Sequence, residues 1–255
     1  MDKNYPPYCL SIAGSDPSGG AGIQADLKVF QKQNCFGCSI STLETVQNSK
    51  GVKEIHINKP EVVLNQLNAL NFNFSAIKLG ALGNKEIIKS ILNSKILENN
   101  KIILDPIIKS SNSVELFKNS DIEFLKSELL PKTFLITPNI PEAELLCGIE
   151  INSLDDIKKA AKKIKTESAA KNVLIKGGHL EGEDCIDILY ANKRFIEFSN
   201  KKIPNKNVHG TGCFLSSNIT ALIAKGETLE KAVKQAIEIT NISIQNSNSG
   251  LLSFF

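Results

Sequence analysis

This sequence has almost no excess of either positive or negative charge. Its 30 Lys and Arg residues offset 27 Asp and Glu, leaving a formal net charge of +3, and the lysines are spread evenly. No basic stripe results, so nucleic-acid binding has no electrostatic support. Long hydrophobic runs are missing too. Stretches such as Ile102–Leu104 fall far short of the roughly 20 apolar residues that a membrane helix needs, so no membrane association is expected. The opening MDKNYPPYCLSIAG has neither the basic start, the long apolar stretch nor the cleavage site of a signal peptide, and a cytoplasmic location is expected. In that compartment the six cysteines, at 9, 35, 38, 147, 185 and 213, are expected to be free thiols. Cys35 and Cys38 form a CxxC, but a structural zinc site wants a second Cys or His pair, and none stands at ligand spacing. The motif also precedes a strand-like run instead of opening a helix, so it reads as chance spacing.

What is there suits an ordinary soluble globular protein: 255 residues, 42% hydrophobic and 22% charged, enough for one large domain spanning 1–255. β-rich runs at 8–13, 39–42, 76–79, 102–107, 134–137, 172–176, 185–190 and 195–198 alternate with helical patterns. The helices are expected at 20–33, 60–71, 84–93, 121–129, 140–147, 153–168, 212–225 and 228–246. In the 212–225 helix, Leu215, Ile219, Leu222 and Ile223 share one face at helical spacing. Such alternation predicts a mainly parallel sheet with helices on both faces. Ligands of such sheets bind beyond the carboxyl ends of the strands, which is where chemistry is sought.

The first loop there, within AGSDPSGGAGIQADLKVF (13–30), offers two false leads. Gly20, Gly22 and Ala25 fit the dinucleotide pattern GxGxxA, with Glu44 downstream, but SDPSG separates them from the strand. Gly14 to Gly19 resembles the start of a phosphate loop but lacks the following Lys-Ser/Thr. What is left is a polar turn of small residues that exposes backbone N–H groups and the Asp16 carboxylate in the crevice. The second loop is VHGTGCF (208–214). Gly210 and Gly212 can take positive φ, letting N–H groups converge at a helix start. That start, with its unpaired donors and partial positive charge, suits a phosphate or developing oxyanion. The same field would lower the pKa of Cys213 and favour its thiolate, although an inert buried cysteine fits the loop as well.

Two further pieces point the same way. In TPNIPE (137–142), Asn139 and Glu142 stand three apart after a strand and could face one site as oxygen ligands, or hold the waters of a magnesium ion; helix capping is the alternative. In LIKGGH (174–179), Lys176 ends a strand where it could neutralise phosphates, and the glycines could let a nucleotide lie against backbone; a solvated lysine is the alternative. Together these pieces suggest phosphoryl transfer, which depends on positioning and charge stabilisation.

The combination AGSDPSGGAGIQADLK, QNSKGV (47–52), LDPI (104–107), TPNIPEAELL (137–146), KGGH (176–179) and HGTGC (209–213) resembles the hydroxymethylpyrimidine/phosphomethylpyrimidine kinases of thiamine biosynthesis, within the ribokinase-like superfamily. The resemblance runs from about residue 9 to residue 246. It implies a three-layer α/β/α ribokinase-like sandwich and two ATP- and Mg2+-dependent steps. One phosphorylates 4-amino-5-hydroxymethyl-2-methylpyrimidine and the next phosphorylates its monophosphate. It also implies a homodimer. Gln47 matches the pyrimidine-binding glutamine, whose amide offers both an acceptor and donors. Gly14, Ala21 and Ile107 match pocket-lining positions. Asn139 and Glu142, with Asp105, match the magnesium side, and Lys176 the ATP side. Gly210, Thr211 and Gly212 match the anion hole, with Thr211 and Gly212 also touching ATP. Cys213 matches the catalytic cysteine, implied to accept the proton of the substrate hydroxyl where most of the superfamily carries aspartate.

The sequence departs from that pattern at IKSSNSVEL (108–116), where a small glycine-containing loop is usual, and at its ending, SNSGLLSFF. Glu44 stands where an apolar residue is common. Three other readings compete. A pyridoxine/pyridoxal kinase would share the fold and chemistry, but Cys213 with Gln47 favours the pyrimidine. A non-catalytic binding protein conflicts with the complete set Asn139, Glu142, Lys176 and Cys213. A nucleotide dehydrogenase rests on GAGIQA alone.

Overall fold

A computed structural model describes residues 5–48, 51–108, 117, 119–180, 182–203, 208–247, 250 and 252–254. The strands β1 (Tyr8–Ser15), β2 (Phe36–Asn48), β3 (Gly51–Ile57), β4 (Ala76–Leu79), β5 (Ile102–Leu104), β6 (Leu135–Ile136), β7 (Val173–Ile175), β8 (Asp184–Ala191) and β9 (Arg194–Lys201) form one sheet in the order β3-β2-β1-β4-β5-β6-β7-β8-β9. From β2 to β7 all neighbours are parallel; β3 and the β8–β9 hairpin add antiparallel edges. The central strands are short apolar runs buried on both faces, as parallel strands between helix layers must be.

Prolines and turns set several boundaries. The run expected at 102–107 stops as a strand at Leu104, because Asp105 precedes Pro106, and the run at 134–137 is trimmed before Pro138. Asn192 and Lys193, at φ 48° and 61°, make the two-residue turn that joins β8 to β9. Strand β2 is far longer than expected and pairs with β3, a strand the sequence pattern hides. GVKEIHI interrupts its apolar residues with Lys53, Glu54 and His56 because this edge faces solvent.

Helices α2 (Pro60–Ala69), α3 (Lys85–Asn93), α5 (Ile140–Cys147) and α6 (Leu154–Ser168) share one core with one face of the sheet. The short α4 (Asn119–Phe124) runs on through one wide turn at Leu125–Leu129 into the same core. On the other face, α7 (Thr211–Ala224) and α8 (Leu229–Gln245) cover the sheet, and α1 (Gly22–Lys32) packs Phe30 against Ala221 of α7. The α/β/α layering is thus as expected. Every residue of α7 from Cys213 to Ile223 is buried. Thr220 Oγ1 donates inside the helix to the Ser216 carbonyl at 2.8 Å, while the hydroxyls of Ser216 and Ser217 reach out of it to Asp105 and Asp26.

Strand β1 has β2 on one side and β4 on the other, so the chain leaves it in both directions. That reversal opens a crevice beyond its carboxyl end. The loops after β1, β4, β5, β6 and β7 and the start of α7 converge there. The altered stretch 108–116 lies outside the described residues apart from Ile108, as do 49–50 of QNSKGV and 248–249, 251 and 255 of the ending.

Candidate active site

A cavity of about 500 Å³ occupies the crevice and brings together Gly14, Ala21, Gln47, Asp105, Ile107, Asn139, Glu142, Lys176, Gly210, Thr211, Gly212 and Cys213. These come from loops far apart in the chain and include every residue singled out from the sequence. A second cavity of about 330 Å³ shares Asn139, Lys176, His179, Thr211 and Gly212 with the first, and is bounded by Leu215 of α7 and Ile237, Thr240, Asn241 and Ile244 of α8. The two cavities therefore share a wall at Lys176 and the first turn of α7.

The first glycine-rich loop is folded around Asp16. Its carboxylate accepts from Ser18 N at 2.9 Å, Ser18 Oγ at 2.8 Å and Ala21 N at 2.8 Å, and is almost fully buried. The acid expected in the crevice does line the cavity, and it also holds its own turn. Burial opposes its charge, but the hydrogen bonds from His209, Ser18 and Ala21 outweigh burial and lower its pKa. Gly22 (φ 60°) allows the chain to enter α1, where a Cβ would lie 2.3 Å from the Gly14 carbonyl oxygen.

The second loop interlocks with the first. Gly210 (φ 86°) ends with its Cα so close to Gly20 that a Cβ would lie 1.8 Å from the Gly20 carbonyl oxygen. It precedes α7 without a side-chain cap, and the N–H groups of Thr211, Gly212 and Cys213 have no acceptor among the described residues. Gly212, expected to share the positive φ, is instead an ordinary helical residue. Its missing Cβ makes room for Lys176 Nζ, 3.3 Å from where that atom would be, and Asp105 Oδ2, 3.5 Å from it.

Cys213 lies in this first turn, 6% exposed. The expected depression of its pKa is overturned. Burial pushes the thiol up to about 11, helped by Asp105 and Asp26; Lys78 and the Gly22 N–H oppose the rise without cancelling it. The helix terminus acts on a group that has lost its water, and desolvation is the larger effect. Lys78 itself is entirely buried in β4, with Nζ 2.6 Å from Asp26 Oδ1. Asp26 also accepts from Ser11 Oγ and Ser217 Oγ, each at 2.5 Å. Burial works most strongly against the Lys78 charge, but Asp26, Cys213 and Asp105 together outweigh it and raise the pKa.

On the opposite wall, Asn139 and Glu142 form a capping box at the start of α5. Glu142 N donates to Asn139 Oδ1 and Asn139 N to Glu142 Oε2, both at 2.9 Å. The capping alternative is therefore real, yet both side chains also line the larger cavity. Burial pushes Glu142 up to about 7, with Lys176 pulling it down and Asp105 adding to the rise. Lys176 follows a parallel bridge to Asn139 and sets Nζ 3.0 Å from Asp105 Oδ1. Asp105 accepts further from Ser216 Oγ at 3.2 Å and Thr137 Oγ1 at 3.3 Å. Burial opposes the charge of Lys176, but Asp105 and Glu142 raise its pKa. Among the described residues no three His, Cys, Asp or Glu side chains cluster to hold an ion. The donors present fit a cation that keeps most of its waters, as magnesium does beside phosphates.

The glycines after Lys176 differ in their use. A Cβ on Gly177 would lie 1.9 Å from the Ile186 carbonyl oxygen, and its N–H donates to Asp187 Oδ1 at 2.8 Å, so strand β8, not a nucleotide, requires that glycine. Glu44, without a role in the sequence reading, accepts from Ser41 Oγ at 2.6 Å on the exposed side of β2. All six cysteines are free, and Cys35 and Cys38 pack into different clusters.

Three residues near the site escaped sequence reasoning. Lys78 and Asp26 had a signal in principle: a charge inside the apolar run AIKL, and an acid on the inward face of α1 beside Val29 and Phe30. His209 was quoted within HGTGC without a role. Its Nε2 lies 2.6 Å from Gln47 Nε2 and 3.1 Å from Asp16 Oδ2.

The chain as a whole is similar to known proteins. Residues 16–251 match the family described as phosphomethylpyrimidine kinase. A hydroxymethylpyrimidine/phosphomethylpyrimidine kinase of Aquifex aeolicus is 45% identical over 93% of this chain and 94% of its own. The crystal structure of phosphomethylpyrimidine kinase from Clostridium difficile 630 superposes with a TM-score of 0.80 at 38% identity, covering 92% of this chain and 99% of that one. The pyridoxal kinase from Staphylococcus aureus in complex with AMP-PCP and pyridoxal gives a TM-score of 0.87 at 32% identity, over 98% of this chain and 93% of that one.

Proposed function

The chain belongs to the phosphomethylpyrimidine kinase family, and from that premise we propose that it moves the γ-phosphoryl group of ATP to two acceptors in turn. The first is the hydroxymethyl group of 4-amino-5-hydroxymethyl-2-methylpyrimidine; the second is the resulting monophosphate, which becomes the diphosphate used in thiamine biosynthesis. The observation that carries this reading is the shared wall of the two cavities, which contains Lys176 and the uncapped first turn of α7.

In this reading the pyrimidine lies in the larger cavity, with Gln47 on its polar edge and Gly14, Ala21 and Ile107 around the ring. The nucleotide lies along Lys176 toward α8, with its phosphates at Thr211 and Gly212. The N–H groups at Gly210, Thr211 and Gly212 meet the transferring phosphoryl group, where fixed donors stabilise the spreading negative charge. Cys213 takes the hydroxyl proton onto Sγ as the new O–P bond forms and ADP departs. With a pKa of about 11 the active thiolate is the minority form at neutral pH. The transition state is loose, so a weakly populated base is sufficient. Magnesium bound with the nucleotide would supply positive charge to the phosphates, and Asn139, Glu142 and Asp105 would be the residues to hold it. Residues 1–255 act as one kinase domain, in the cytoplasm and as a homodimer. Among the described residues, no helix is long and apolar enough to cross a membrane.

Incubation with Mg-ATP and the hydroxymethylpyrimidine, read by mass spectrometry, is expected to yield the mono- and then the diphosphate. Absence of both products overturns the reading. The close superposition on the S. aureus pyridoxal kinase supports a second reading, phosphorylation of pyridoxal in the same pocket. The same assay with pyridoxal tests it.

A further inference from the structure

We infer that His209, held by the Asp16 carboxylate, fixes which end of the Gln47 carboxamide faces the pyrimidine edge, so that Asp16 and His209 are positioning residues for substrate recognition. This rests on the functional reading above, in which Gln47 meets the ring.

The geometry leaves few arrangements. Nε2 of His209 sits 3.1 Å from Asp16 Oδ2 and 2.6 Å from the nitrogen end of the Gln47 amide. A carboxylate is an acceptor only, and its neighbour must bring a proton. The side chains of Asp16 and His209 are both largely buried, so water does not relieve a lone pair aimed at that carboxylate. The proton therefore stands on His209 Nε2. A protonated Nε2 cannot accept from an amide NH2, and two donors at 2.6 Å repel. A half-turn of the terminal Gln47 torsion, which leaves its shape unchanged, puts Oε1 against Nε2–H instead. One proton then serves Asp16 and Gln47 Oε1 together.

The consequence is a fixed polarity in the pocket. Oε1 keeps a second lone pair for the exocyclic amino group of the pyrimidine, and the NH2 is free to donate to the adjacent ring nitrogen. The reversed amide would set donor against donor and acceptor against acceptor. Asp16 is itself pinned by Ser18 N and Ala21 N, so the first glycine-rich loop, through one imidazole, orients a side chain on β2. His209 is in turn fixed in the chain by its N–H, 3.0 Å from the Gly250 carbonyl oxygen.

The test has two arms. Long-range 15N–1H spectra of histidine-labelled wild-type protein, with three histidines to resolve and His209 identified by its loss in His209→Leu, report the proton directly. A protonated Nε2 is expected; an unprotonated Nε2 overturns the inference, whatever the protein phosphorylates. In the second arm, His209→Leu and Asp16→Asn are assayed with the aminopyrimidine and with the analogue bearing hydrogen in place of the amino group. His209→Leu should raise KM for the aminopyrimidine about 5- to 100-fold, the usual range for one misdirected polar contact. KM for ATP should stay within about twofold, the preference for the amino compound over the analogue should fall, and Asp16→Asn should add nothing to His209→Leu. Equal rises in KM for both pyrimidines and for ATP, or additive effects, would show a merely structural contact. Failure of the wild type to phosphorylate either pyrimidine would defeat the functional reading, while the position of the proton still decides the inference.

Discussion

At the scale of single residues, the site is governed by what burial does to charge. Cys213 looked activated because it opens a helix; its pKa of about 11 says that desolvation prevails. The group is thus a thiol below pH 10, and its alkylation by iodoacetamide, followed at the peptide level, should speed up about tenfold per pH unit from pH 7 to 10. For the same reason the wild-type kcat should climb with pH over that range. Cys213→Asp, already ionised, should be flat and exceed Cys213→Ala. A flat wild-type profile would take the proton away from Cys213 and leave catalysis to the anion hole. Lys78 carries the opposite lesson. Lys78→Met leaves Asp26 charged and unpaired in the core and should lower the unfolding free energy by about 3–5 kcal/mol. Adding Asp26→Asn should restore much of this, which chemical denaturation would measure. The types and spacing of the site residues were legible in the sequence; their protonation was not, because it depends on neighbours brought from other strands.

At the scale of elements, α5 carries one pair of side chains with an observed capping role and a proposed second one. The Asn139–Glu142 spacing signalled both capping and a cation site, and the reciprocal hydrogen bonds realise the first without using up the second. Glu142→Ala should therefore lower stability by about 1 kcal/mol through the lost cap. It should also raise the magnesium concentration for half-maximal rate; an unchanged magnesium titration would confine Glu142 to capping. The folded pKa of about 7 exceeds the usual 4.5, so this group's contribution to stability is present below pH 4.5 and is lost as pH rises to 7. Glu142→Gln keeps an acceptor for the cap and should remove that slope from a pH series of thermal melts. Strand β3 was the element least legible in the sequence. An edge strand is half solvated, and Lys53, Glu54 and His56 erase the apolar signal that betrays the inner strands.

At the scale of the whole molecule, the parallel centre of the sheet could be read because each strand there is a short apolar run between helices. The order of the strands could not, since it is set by contacts between distant segments. That order brings the ends of β1, β4, β5, β6 and β7 to one crevice, and a ligand there ties them together. Mg-ATP at 100 times its Kd should add about 2.7 kcal/mol to the unfolding free energy, and a concentration-independent melting temperature would deny nucleotide binding. The buried length of α7 has a consequence in the time domain. From Phe214 onward its amides are bonded within a helix sealed on every side, and their hydrogens should exchange with solvent only when the molecule unfolds. The amides of Thr211, Gly212 and Cys213 have no acceptor among the described residues and should exchange far sooner. The turn proposed to meet the transferring phosphoryl group is thus one where slowly and rapidly exchanging amides meet, and bound nucleotide should narrow the difference.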